Sequence, residues 1–454
     1  MVDTPRIVVA GTHSGVGKTT VATGLMAALA SKGCDIAPFK VGPDFIDPSY
    51  HALATGRPGR NLDVFLSGEQ LVPRLFAHGA AGADAAVIEG VMGLFDGKDG
   101  GGELASTAQV AKLLDAPVVL VVDAGAMART AAAIVHGYRS FDPEVNVAGV
   151  VLNRVGSDRH EQMLREAISP LGMPVLGALR RGEELSTPDR HLGLVPAVER
   201  SAEALGTIEK MGEAVSRSCD LDAVTRLARS AGTPPVEPWI PQYEKKAPAR
   251  VAVAAGRAFS FVYRENLELL EGAGAEVVHF DPLRDESLPA GADALYLGGG
   301  FPEAYAAELS ANEPLKREVA AFARSGRPVV AECGGMLYLS RGLDDHTMCG
   351  VLDAEARMGG RLSLGYREAT AASESPLCER GETLRGHEFH YSWIEPSAGR
   401  PGEDEAPAWR FDDGRSEGFV AGALHASYLH THWAACPQVP RRLVEAAARE
   451  GVRA

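Results

Sequence analysis

Long apolar runs are missing from this 454-residue chain, because Asp, Lys, Arg or Gly interrupts every candidate. A membrane-spanning helix needs about 20 consecutive apolar residues, so none is expected. Cysteine is scarce: the six present, at positions 34, 219, 333, 349, 378 and 436, contain no C-x-x-C pair. That spacing suggests neither a zinc site nor a disulfide framework. An excess of positive charge is also lacking, and a net charge of −15 argues against a nucleic-acid partner. Internal repeats and low-complexity segments are absent. Met1 to Arg6 runs straight into a strand with no signal-peptide pattern, so a reducing cytoplasm is the expected compartment. What remains, 45% hydrophobic and 23% charged residues, is the composition of a soluble globular protein long enough for two or three domains.

The first informative stretch is Gly11-Thr-His-Ser-Gly-Val-Gly-Lys-Thr-Thr20, between a short apolar strand (6–10) and a helix with Val21, Leu25, Ala28 and Leu29 on one face. Strand, glycine-rich loop and helix in that order are the context of a phosphate-binding loop. The backbone from Gly15 through Gly17 to Thr20 would cradle phosphates, with Lys18 reaching the outer ones and the Thr19 hydroxyl taking Mg²⁺. The first glycine stands one residue earlier than the G-x-x-x-x-G-K-T spacing requires, so the loop is one residue longer than standard. Further along, the strand 36–39 leads into Lys40-Val-Gly-Pro-Asp-Phe-Ile-Asp-Pro48, and the strand 85–89 ends in Glu89. Lys40, Asp44, Asp47 and Glu89 thus fall at strand ends beside the loop, where open α/β proteins bind ligands and a Mg²⁺ carboxylate is wanted. Arg57 and Arg60 are expected in a loop, either holding substrate carboxylates or facing water. More strands at 117–122, 147–152 and 174–179 alternate with helices near 105–115, 127–140 and 159–170, which implies a parallel sheet wound on both sides. Asn153, directly after its strand, would read a nucleotide base or simply form a turn.

Prolines 234, 235, 238 and 241 then mark a linker. A second α/β unit follows, with strands near 251–254, 275–279 and 294–297, and Gly298-Gly-Gly-Phe-Pro-Glu303 after the third. Backbone N–H groups there would be free to point at an anion. The apolar strand 328–331 stops at Glu332 and turns through Cys333-Gly-Gly335 into a helical Met-Leu-Tyr-Leu. Such a turn suits a nucleophile whose thiolate a helix N-terminus would favour, lowering its pKa. A buried structural thiol is the other reading. Histidines follow late in the chain, at 387, 390, 425, 430 and 432.

Together K-V-G-P-D-F-I-D-P (40–48), E-G-V-M-G-L-F-D-G (89–97), G-G-G-F-P-E (298–303), A-E-C-G-G-M (331–336) and A-S-Y-L-H-T-H-W (426–433) resemble the cobyrinate, or hydrogenobyrinate, a,c-diamide synthase family of corrinoid biosynthesis. The resemblance covers nearly the whole chain. The N-terminal half is also similar to dethiobiotin synthetase, which shares the lengthened loop.

The resemblance implies an α/β chain of two domains. Residues 1–240 would form a P-loop-type ATP-dependent amidoligase domain, and 248–440 a class I glutamine amidotransferase domain. ATP would lie on Gly15, Gly17, Lys18, Thr19, Thr20, Lys40 and Asn153, with Mg²⁺ on Thr19, Glu89, Asp44 and Asp47. A carboxylate of the macrocycle would take the γ-phosphoryl group, and ammonia would displace phosphate without crossing bulk solvent. Cys333 would attack glutamine, with Gly299, Gly300 and Gly334 as the oxyanion hole. The Y-L-H pattern puts the activating histidine at His430. Relatives usually carry a glutamate two positions later, where this chain has His432, so the triad's third member has no assignment. The partners implied are cobyrinate or hydrogenobyrinate, ATP and glutamine, with no membrane or nucleic acid, and a homodimer is admitted. Alternatives are cobyric acid synthase, which amidates four other carboxylates, a relative acting on nickel-sirohydrochlorin, and a non-enzymatic nucleotide switch.

Overall fold

The computed structural model describes residues 3–182, 189–190, 193–194, 201–243 and 246–451. The chain forms two compact units, Met1–Ile240 and Pro241–Ala454.

The first unit is built on a seven-stranded sheet. Its strands are β1 (Arg6–Gly11), β2 (Ile36–Val41), β3 (Arg60–Leu62), β4 (Ala85–Glu89), β5 (Val118–Asp123), β6 (Val147–Val155) and β7 (Val175–Arg180). The spatial order is β3-β2-β4-β1-β5-β6-β7, and every pairing is parallel. Sequences such as Val-Val-Leu-Val-Val in β5 are apolar throughout because helices cover both faces of the sheet, and these residues are fully buried. Helix α1 (Lys18–Ser31) buries Val21, Ala22, Leu25, Met26 and Leu29 against Ile7, Val9, Val119 and Val121. This anchors the helix whose N-terminus carries the glycine-rich loop. Helix α2 (Ile46–Thr55) leaves β2 after a four-residue turn.

Three sequence expectations change here. Arg60 lies in β3, not in a loop, and is buried. Asn153 lies inside β6, which continues to Val155. The proline-rich stretch is no free linker: Trp239 is buried, its N–H donates to the Arg74 carbonyl at 2.9 Å and its ring meets His78 edge-on at 5.2 Å.

The second unit has a six-stranded sheet in the order 275–280, 249–254, 294–297, 329–332, 424–427, 419–421. Its first five strands are parallel and the last is antiparallel. A second sheet is dominated by the long antiparallel pair Glu355–Ala371 and Thr383–Glu395, with His430–Thr431 added at its edge. The unit includes the helix Gln438–Gly451, which runs past the end expected at residue 440 and packs on the strand Ala249–Ala254. Among the described residues no helix is long and apolar enough to cross a membrane.

Candidate active sites

In the first unit, parallel pairing sets Lys40 of β2 beside Glu89 of β4 at the C-terminal ends of neighbouring strands. The Lys40 ammonium lies 2.9 Å from Glu89 Oε1, 2.5 Å from Asp47 Oδ2 and 3.7 Å from Asp44 Oδ2. The Thr19 hydroxyl, in the first turn of α1, donates to Glu89 Oε1 at 2.6 Å and stands 3.4 Å from Asp47 Oδ2. On α2, His51 follows Asp47 by one turn and its Nε2 meets Glu89 Oε2 at 2.7 Å. Against the burial that would raise it, Lys40 and His51 hold the Glu89 carboxyl below the usual range. Asp47 is pushed well up by burial and by Asp44 and Glu89, while the same acids keep Lys40 firmly charged despite its burial.

The loop is shaped by contacts that need glycine. Gly17 has φ +99°, and a Cβ there would come 2.2 Å from Asn153 Nδ2. Asn153 Nδ2 donates to the Val16 carbonyl at 2.9 Å, so its amide braces the loop and keeps one further N–H. Gly15 has φ +77° with open space around it. Lys18 Nζ donates to the His13 carbonyl at 3.2 Å, closing the loop on itself. Burial and the nearby Lys40 charge lower its pKa to about 8. Thr20 is half-buried in the same turn.

The oxygen set suits Mg²⁺. Thr19 Oγ1, Asp47 Oδ2 and Glu89 Oε1 are hard oxygen donors that would hold it, with the Lys40 ammonium against the latter two. Asp47 Oδ1 is buried without a hydrogen-bond partner, a further oxygen available to a cation. Asp44 is more exposed, and its Oδ1 accepts from Ile46 N at 2.8 Å, which leaves Oδ2 toward Lys40. Among the described residues no three His, Cys, Asp or Glu side chains form a cage of their own. Mg²⁺ is ordinarily held by one or two carboxylates with phosphate oxygens and water.

In the second unit, Cys333 takes φ +48° and ψ −101° between the strand Val329–Glu332 and the helix Gly334–Leu339. Its N–H donates to the Ser427 carbonyl at 2.7 Å, which pins the turn to the neighbouring strand. Burial, then the Glu303 carboxylate, push the thiol well above its ordinary range. This corrects the expected lowering by the helix N-terminus, because that helix has only six residues and desolvation outweighs it. A Cβ on Gly334 would lie 3.1 Å from Gly300 N, and one on Gly299 would lie 2.3 Å from His430 Cε1. The turn 298–300 therefore touches both the cysteine turn and His430.

The three late histidines part company. His425 is a core residue, with Nδ1 3.1 Å from Ser375 Oγ and its ring edge-on to Trp409. His432 faces Glu265, with Nε2 3.5 Å from Oε2, and packs on Tyr263. His430 alone of the three abuts Gly299, and burial, reinforced by His387 and His390, lowers its pKa to about 3. It is therefore neutral near pH 7, the form a general base needs.

Two family models match the chain: a CobQ/CobB/MinD/ParA nucleotide binding domain over residues 7–195 and a CobB/CobQ-like glutamine amidotransferase domain over 250–437. The chain is 56% identical to the hydrogenobyrinate a,c-diamide synthase of Streptomyces coelicolor, covering 97% of both chains. It is 51% identical to the enzyme of the same name from Thermobifida fusca, over 97% of this chain and 96% of that one. It is 45% identical to the cobyrinate a,c-diamide synthase of Syntrophotalea carbinolica, over 97% and 98%. The chain belongs to the a,c-diamide synthase family.

For this member, Lys40, Asp47, Thr19 and Glu89 form one connected cluster, with Asp44 at its rim. Lys18, Gly15, Gly17 and Asn153 form the adjoining loop. His51 was not among the expected site residues; it comes one turn after Asp47 on α2. Nor were Glu332, Tyr428 and Glu417 around the cysteine turn. Tyr428 stacks on His390 with centroids 3.6 Å apart and shares a 3.0 Å hydrogen bond with Ser392. Glu417 is buried and accepts from Ser427 Oγ and Tyr428 N at 2.7 and 2.8 Å, fixing the end of the strand Leu424–Ser427, whose Ser427 carbonyl receives the Cys333 N–H.

Proposed function

We propose that this chain is an ATP- and glutamine-dependent amide synthase acting in the cytoplasm on the a and c acetate side chains of hydrogenobyrinate. The observation that carries the reading is the pairing, in one chain, of the Lys40–Asp47–Glu89–Thr19 cluster beside a phosphate loop with the strained Cys333 turn. The two relatives at 51–56% identity are named for hydrogenobyrinate and the one at 45% for cobyrinate, which favours the metal-free ring. Six free cysteines suit a reducing compartment.

The chemistry divides between the units. At Cys333 the thiol sulfur bonds to the side-chain amide carbon of glutamine while His430 accepts the thiol proton. Backbone N–H groups of Gly300 and Gly334 face the developing oxyanion; the Gly299 N–H, expected to join them, instead donates to the Phe261 carbonyl at 3.0 Å. The C–N bond then breaks, His430 returns the proton to the departing ammonia, and water releases glutamate from the thioester. In the first unit, Gly15–Thr20 and Lys18 hold ATP while Thr19, Asp47 and Glu89 hold Mg²⁺, which neutralises phosphate charge when bound. A substrate carboxylate oxygen bonds to the γ-phosphorus, ADP leaves, and Lys40 stabilises the charge in transfer. Ammonia then attacks the acyl carbon, phosphate leaves and the amide remains. Two rounds consume two ATP and two glutamine.

Mass spectrometry of products from purified protein given hydrogenobyrinate or cobyrinate, ATP, Mg²⁺ and glutamine tests this. Addition of two amides, faster on hydrogenobyrinate, is the expected result. Four amides would support the cobyric acid synthase reading instead, and absence of glutamate release would return the chain to a nucleotide switch.

A further inference from the structure

The strand that delivers Cys333 ends in a carboxylate that the glutaminase chemistry above does not use. Glu332 is fully buried, yet its Oε2 lies 3.9 Å from His430 Nδ1. The carboxylate is held firmly. Oε1 accepts from the Thr431 N–H at 3.3 Å and the Thr431 hydroxyl at 2.8 Å, and Oε2 accepts from the Tyr296 hydroxyl at 3.1 Å. Thr431 follows His430 directly, so the same carboxylate fixes the backbone that presents the imidazole. Tyr296 is braced in turn by Asn266 Nδ2, which lies 3.4 Å from its hydroxyl, donates to the Thr431 carbonyl at 2.8 Å, and whose Oδ1 accepts from Trp433 N at 2.9 Å. Side chains from four separate segments thus converge to place one acid beside one histidine.

We propose that Glu332 is a positioning residue for glutamine hydrolysis, its carboxylate facing His430 Nδ1 and stabilising the imidazolium formed when that ring takes the Cys333 proton. The inference rests on the reading of Cys333 as nucleophile and His430 as base. An acid next to a forming cation lowers the cost of proton transfer, and it matters most in a desolvated site. A carboxylate at the ring offsets His387 and His390 of the adjoining strand, which oppose its protonation. Around the carboxylate the titratable neighbours are Tyr296, Cys333 and His430 itself. Burial lifts the Glu332 carboxyl to about 7, so its charge is present at and above neutrality and lost below.

The test uses the full chain and compares E332Q with E332A. Glutamine keeps an oxygen for the Thr431 donors, its NH2 can donate to the Tyr296 oxygen where the carboxylate accepted from it, and it carries no charge, so a merely structural role predicts near-wild-type kcat for E332Q. The positioning role predicts that kcat for glutamate release falls on the order of 10²-fold in both variants, with KM for glutamine within about threefold and the E332Q melting temperature unchanged. It also predicts that the wild-type rate rises with pH through about 7 and that E332Q loses this rise. Ammonia-dependent amidation should be unchanged in both. An E332Q enzyme with wild-type kcat and pH profile overturns the proposal while leaving the glutaminase reading intact. Glutamate release that survives Cys333→Ser at the wild-type rate overturns both.

Discussion

Glu89 serves three partners through two oxygens. Oε1 takes the Thr19 hydroxyl and the Lys40 ammonium, while Oε2 takes only the His51 imidazole among the bonds described. A carboxylate that must ligate a cation is useful in one orientation, and outer partners that fix orientation commonly carry 10–100-fold in metal affinity. His51→Phe keeps the apolar burial and removes the donor. The Mg²⁺ concentration for half-maximal ammonia-driven ADP release should rise about 10-fold or more, with the maximal rate changing less. A magnesium titration of the folded variant checks it, and an unchanged midpoint would mean that Lys40 and Thr19 suffice. His51 was not legible in the sequence because a lone histidine after Ile-Asp-Pro-Ser-Tyr says nothing until α2 turns it onto Glu89. Lys18 and Thr19 were legible because their roles follow from local spacing. The Y-L-H resemblance pointed to His430, whereas the residues alone left three histidines in one short stretch; the packing sets His430 against Gly299.

At the level of elements, the strand and helix pattern of both units could be read from apolar runs and glycine punctuation. The departures came where packing overrode composition. Four prolines between 234 and 241 read as a spacer, yet Trp239 in their midst is an anchor with 6% of its surface exposed. Trp239→Ala should destabilise the first unit by about 3 kcal/mol through lost burial and the cavity left behind. Urea unfolding followed in parallel with ATP binding checks this, the midpoint falling while the affinity of the folded protein holds. The cysteine turn shows the opposite balance. Its strained backbone was legible from Cys-Gly-Gly, but its electrostatics were not, because burial dominates over a helix of six residues. Burial favours the protonated thiol, so the proposed reaction has His430 take its proton at the moment of attack.

Across the whole molecule, one chain holds two chemistries that share only ammonia. The net charge of −15 suits small anionic substrates reached through local lysines rather than a polyanion. The arrangement separates the nitrogen donor from the carboxylate activator, so the two sites should fail differently. Amidation measured with glutamine and, separately, with ammonium for Cys333→Ser and Lys18→Ala tests this most directly. The serine variant should lose the glutamine-dependent rate by several orders of magnitude and keep the ammonium-dependent rate, whereas the alanine variant should lose both. A folded Cys333→Ser enzyme that loses both, or a Lys18→Ala enzyme that keeps either, would contradict the account.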